Sequence, residues 1–161
     1  MGNVLLIAKT SSFIEATGGR GRWSHALNEF AVAIQDQNAP TVVSLDWGFH
    51  EPLLFLTRDV RLVESIWTLP QQLANGLPWE FTAGENSTYL VHEFPYDLFG
   101  LGPKFLLAAR LAGQEAARIE VHRDASGDPA FYSVNIPQPH RVRYDGNFRI
   151  RFQEARPLGT P

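Results

Sequence analysis

Cysteine is absent from the 161 residues, which excludes a disulfide framework, a thiolate metal site and a cysteine nucleophile. Long apolar runs are missing too: stretches such as 4–8 and 53–56 fall far short of the roughly 20 residues that cross a bilayer. Met1, Gly2 and Asn3 make no basic leader, and no cleavage site follows, so no signal peptide is read. Charge of one sign is not in excess. A net charge of −3 and a pI near 5.9 give no overall pull toward nucleic acid or anionic membrane, so nucleic acid is not an expected partner. Catalytic signatures are equally scarce. The pairs His50-Glu51 and His92-Glu93 carry groups that suit a divalent metal, but neither continues as His-Glu-x-x-His. There is no Gly-x-Ser-x-Gly elbow and no phosphate loop ending in Gly-Lys-Ser/Thr. No catalytic residue, metal or cofactor is therefore assigned to the chain.

What is present is a composition that folds. Apolar residues make up 44% against 19% charged, and 4 Trp, 11 Phe and 4 Tyr supply large areas to bury, so one core and a single domain over 1–161 are expected. Elements of alternating type follow along the chain. A buried strand over 4–8 leads through the glycine-rich segment Gly18, Gly19, Arg20, Gly21, Arg22 to Ser24, whose hydroxyl is suited to cap a helix. Trp23, Leu27, Phe30 and Ile34 recur at helical spacing, and Pro40 closes that pattern. A β-branched strand over 41–45 comes next, with Asp46, Trp47 and Gly48 at its carboxyl end. Glu51-Pro52 then opens a short helix over 53–56. The stretch 68–87, broken by Pro70, Gly76, Pro78 and Gly84, reads as loop with a short helix near 70–74.

The spacing further predicts a strand over 89–93 and a long helix over 103–118 carrying Phe105, Ala109, Ala112 and Ala116 on one face. A hairpin joins 119–122 to 131–134 across the turn 125–128. The sharpest local signal is a second hairpin: Asp145-Gly146 lies between Val142, Tyr144 and Phe148, Ile150, Phe152. Arg141, Arg143, Asn147, Arg149 and Arg151 alternate with those residues, giving a basic face within the hairpin-and-tail segment 137–161. That face reads either as the solvated side of a protected edge or as a surface for phosphates or lipid head groups. The order implies an α/β fold: a layered, three-layer-like domain with a mixed, partly parallel sheet, which the C-terminal antiparallel hairpins extend.

Two places offer a ligand chemistry. In such sheets ligands lie beyond the carboxyl ends of the strands, which gathers Asp46, Trp47, His50 and Glu51 with His92, Glu93 and Tyr96 into one candidate pocket. The segment Gly18, Gly19, Arg20, Gly21, Arg22 before Ser24 combines close backbone approach, helix N–H groups and fixed positive charge, which suits a phosphate; a tight turn would use the same glycines. The sequon Asn86-Ser87-Thr88 is a three-residue pattern that carries no assignment.

The residues from Thr17 through Trp23-Ser24-His25-Ala26, then Val42-Val43-Ser44-Leu45-Asp46-Trp47-Gly48-Phe49 and Leu54-Phe55-Leu56-Thr57, resemble the soluble C-terminal region of bacterial membrane glycosyltransferases of the GT-C type. They are similar to the protein mannosyltransferase-like family, and Val121-His122-Arg123-Asp124 through Gly127 to Phe131 looks like the final hairpin of the same regions. The resemblance covers about 17–134 and leaves out the Arg-rich hairpin. It implies an extracytoplasmic domain on the periplasmic side of the inner membrane, following a transmembrane bundle that holds the catalytic acid. The implied partners are that transmembrane portion and a polyprenyl-phosphate sugar or its acceptor. No family role carries onto Asp46. A chain that begins near the apolar run Val4-Leu5-Leu6-Ile7 and ends in the Pro/Gly tail 157–161 fits such an excised segment; a complete small protein fits as well. The other reading is a free-standing small α/β enzyme, hydrolase-like, using Asp46, His50 and His92 in the strand-end pocket.

Overall fold

The β-branched run Thr41, Val42, Val43 becomes strand β1 (Thr41–Ser44), every residue of which is buried, and a mixed sheet assembles around it. The computed structural model describes residues 9, 12, 24–37, 40–64, 79–92, 95–98, 100–111, 118–144 and 150–154. Four more strands join β1: β2 (Arg61–Glu64), β4 (Ser87–His92), β5 (Arg118–Arg123) and β6 (Pro129–Ile136). Their spatial order is β2-β1-β4-β6-β5. β2 and β4 flank β1 in parallel, while β6 pairs antiparallel with β4 and β5 antiparallel with β6. The remaining strands, β3 (Trp79–Ala83), β7 (His140–Tyr144) and β8 (Ile150–Glu154), form a second, antiparallel sheet in the order β3-β7-β8.

Three helices are described, and they lie on both faces of the larger sheet. Helix α1 (Ala26–Gln35) buries Leu27, Phe30, Ala31 and Ile34, the stripe its spacing predicts, against Val42, Leu90 and Phe131 of the sheet. Helix α2 (His50–Leu56) adds Leu53 to the same layer. On the opposite face helix α3 (Leu101–Leu111) packs Leu101, Phe105 and Ala108 onto Val43, Tyr89, Val91 and Val134, and Val142 of β7 joins that cluster. Gly102 lets α3 come close: a Cβ there would meet Val91 Cβ at 3.2 Å. The layers are thus helices, mixed sheet, and helix with second sheet, an α/β fold with C-terminal strands. Each large apolar side chain fully buried in these clusters contributes about 1.5–3 kcal/mol.

Ser24 works at the helix start as its hydroxyl predicts, its Oγ accepting from the Ala26 N–H at 3.2 Å, one position further from the helix than a usual cap because His25 takes the boundary position. The turn between β5 and β6 closes around Asp124, whose carboxylate accepts from the N–H groups of Ser126 and Asp128, while Gly127 takes the left-handed φ of 85°.

Four expectations change. The Arg-rich hairpin forms, but it does not extend the main sheet: β6 is already paired on both sides, and Pro137 and Pro139 interrupt the chain so that β7 folds across the sheet face instead. Within the stretch read as loop, Trp79–Ala83 is a strand, because β7 presents it a partner through Trp79↔Tyr144 to Ala83↔His140. Arg61–Glu64 is a further strand, paired with β1 by the crossover through α2. The helix read over 103–118 is described over Leu101–Leu111, and Arg118 opens β5, where pairing with Asn135 overrides helical propensity. The expected strand over 4–8, the segment Gly18 to Arg22, Ala112, Ala116 and the short helix near 70–74 lie outside the described residues.

Candidate functional site

Because β1 and β4 are parallel neighbours, the chain leaving β1 arrives beside the end of β4. There the buried Asp46 carboxylate accepts from His92 Nδ1 at 3.0 Å, from the Trp47 N–H at 2.7 Å and from the Leu98 N–H at 3.3 Å. Three donors on one acid are the arrangement that keeps a buried carboxylate satisfied. Gly48 completes the turn at φ 101°, a conformation that disfavours a side chain. Phe49 lies flat on the His92 ring, with centroids 4.0 Å apart and planes 13° apart. The side chains of His92 and Asp46 are only 1% and 0% exposed.

The side chains of the other described residues of the strand-end group are less enclosed than that pair. Trp47 is on the surface and Tyr96 is half-buried, while His50 is half-buried at the first turn of α2 with its Nδ1 enclosed and lacking a hydrogen-bond partner. Glu51 is exposed, and Glu93 falls outside the described residues. Among the described residues no three His, Asp or Glu side chains gather as a metal-ligand set. Of the proposed phosphate segment only Ser24 is described, and its hydroxyl is engaged with Ala26.

A groove of about 210 Å³ lies elsewhere, between the carboxyl half of α1 and the sheet, toward the amino end of β4. Strand alternation puts Arg118, Glu120 and His122 of β5 on this face, and register sets them against Asn135, Ser133 and Phe131 of β6. Thr88 of β4 lies opposite Asn135 and accepts its amide N–H at 3.2 Å. Phe30, Ala33 and Ile34 of α1 and Gln37 just past its end make the wall, and Asn86, in a left-handed turn conformation at φ 54°, stands at the rim.

His122 is the best-defined group in the groove. Its ring stacks on Phe131 at 4.4 Å, meets the edge of Phe30 at 5.3 Å, and its Nε2 lies 2.7 Å from Ser133 Oγ. Burial lowers its pKa from the ordinary value, outweighing the opposite pull of Glu120 and Glu29, so the ring is neutral at neutral pH. A hydroxyl beside a neutral imidazole is a nucleophile–base geometry, but among the described residues no carboxylate bonds Nδ1 to complete a triad. The pair instead presents one fixed donor and acceptor set. In the sequence this hairpin declares itself only as a fold element; the signal for the groove is the polar alternation Arg118, Glu120, His122 on one arm and Ser133, Asn135 on the other.

The depressed pKa also has a stability consequence, shared with His140, which burial lowers against its hydrogen bond to the Gln138 carbonyl. The unfolded chain then takes up protons at the ordinary value of 6.5 before the folded chain does. This contribution is fully present above 6.5 and is lost as pH falls below it. Urea midpoints should therefore drop between about pH 7.5 and pH 6. In His122→Gln that drop should narrow, and an unchanged drop would show that His122 titrates alike in both states.

No helix among the described residues is long and apolar enough to cross a membrane, which leaves β-barrel spans unaddressed. Comparison with protein-family models, curated proteins and solved structures finds no match for this chain.

Proposed function

We propose that this chain is the extracytoplasmic, non-catalytic domain of a polyprenyl-phosphate-sugar-dependent membrane glycosyltransferase of the GT-C type. In this reading it is carried by a transmembrane portion and helps hold acceptor or lipid phosphate. The observation that carries the non-catalytic part is the state of Asp46 and His92. Their side chains are sealed beneath Phe49, and the carboxylate spends its lone pairs on Trp47, Leu98 and His92. Groups so occupied hold the loop after β1 to the end of β4 and offer nothing to a substrate. The free-standing enzyme reading would need substrate to reach them.

The attachment to a glycosyltransferase rests on the resemblance of 17–134, and fractionation tests it directly. An antibody raised against the 161 residues should detect, in the source cells, an antigen that sediments with membranes and needs detergent for release. In spheroplasts it should be cut by added protease. A soluble antigen near 18.0 kDa, protected from that protease, would overturn the proposal.

A further inference from the structure

We propose that the groove between α1 and the β4-β6-β5 face is a binding site for a neutral, polyhydroxylated ring. The inference deepens the reading above by naming what the domain holds, and it rests on that reading only for its biological setting. Size comes first: about 210 Å³ is below the roughly 300–1,000 Å³ of sites for drug-sized ligands, and leaves room for one ring.

The chemistry of the lining selects the class. Arg118 and Glu120 stand two residues apart on one strand face, so a guanidinium and a carboxylate of opposite charge border the same space. Neither forms an ion pair with a described residue, and His122, next on the same strand face, is neutral. The Arg118 and Glu120 charges oppose each other, and Glu29 adds a further negative charge near His122, which disfavours a phosphate or a carboxylate and suits hydroxyls that donate to Glu120 and accept from Arg118. The Asn135 amide donates to Thr88 and so keeps its carbonyl oxygen in a set orientation, while Ser133 is held by His122. Planar groups with fixed donors and acceptors recognise adjacent hydroxyls, because each hydroxyl both donates and accepts. Phe30 and Ile34 of α1 supply the apolar wall that the C–H face of such a ring covers.

Amide resonances of the 161-residue chain titrated with methyl hexopyranosides, myo-inositol and, separately, inorganic phosphate test this. A ring of this size held by a handful of hydrogen bonds should bind with a dissociation constant on the order of 1 mM. Shifts should be confined to the neighbourhoods of Asn86, Arg118, Glu120, His122, Ser133 and Asn135. Glu120→Gln and Asn135→Ala should each weaken binding about tenfold. Glu120 is exposed, so its variant keeps the fold even if Asn135→Ala loosens β4 from β6. Absence of shifts at about 50 mM of every polyol overturns the proposal, since that is far above the expected constant. Phosphate moving these resonances when polyols do not also overturns it, in favour of an anion site at Arg118. Either failure leaves the fractionation result untouched, so the groove and the membrane attachment are decided separately.

Discussion

Replacing Asp46 with alanine should lower the unfolding free energy by about 3–5 kcal/mol, because it removes a buried carboxylate that accepts hydrogen bonds from three donors. The carboxylate accepts from the part-buried N–H groups of Trp47 and Leu98 as well as from the buried His92 Nδ1, and alanine removes that shared acceptor from all three. The same change removes the tie between the loop after β1 and the segment after β4. Asp46→Asn keeps the shape and one acceptor oxygen, and should lose markedly less if His92 can offer Nδ1 as an acceptor to the new amide. Urea unfolding followed by far-ultraviolet circular dichroism measures both. A loss below about 1 kcal/mol for Asp46→Ala would show that water reaches the carboxylate and that the buried cluster is not as described.

That cluster also shows how far residues alone lead. The juxtaposition of Asp46 with His92 was readable, because parallel neighbours in a crossover sheet end at the same side and both residues sit at strand ends. Its sealing was not readable. Phe49 stacks on His92 only because Gly48 turns the chain back, and Leu98 reaches Asp46 across 52 positions of sequence. The same division runs through the fold. Helix α1, β1 and both hairpins declare themselves through periodicity and turn chemistry, which are local. Strand β3 lies between Pro78 and Gly84, which read as loop punctuation, and its partner is more than fifty residues away. The groove was hidden for a different reason. In β5 the apolar alternants Ile119 and Val121 face outward, 46% and 39% exposed, while Arg118, Glu120 and His122 face α1. Alternation marks two faces but does not say which one a helix will cover.

The joint between the two sheets gives the second large expected effect. His140 of β7 and Tyr89 of β4 are both fully buried, and the Tyr89 hydroxyl is hydrogen-bonded to His140 Nε2. On its other side His140 Nδ1 lies 2.7 Å from the Gln138 carbonyl, which can only accept. The proton of the neutral ring therefore sits on Nδ1, and Nε2 accepts from the Tyr89 O–H. His140→Ala removes the ring, leaves a cavity against Tyr89 and takes the His140 hydrogen bond from the buried Tyr89 hydroxyl, so a loss of about 3 kcal/mol or more is expected. Tyr89→Phe keeps the packing on Phe105 and removes only the hydrogen bond to Nε2, for an expected loss of about 1–3 kcal/mol. The double variant should lose clearly less than the sum of the two, because each single change already forfeits the shared hydrogen bond. Strict additivity in urea unfolding would mean that the two sheets are held together by the apolar contacts of Val142 and Phe105 with the sheet, and that the polar link between Tyr89 and His140 adds nothing.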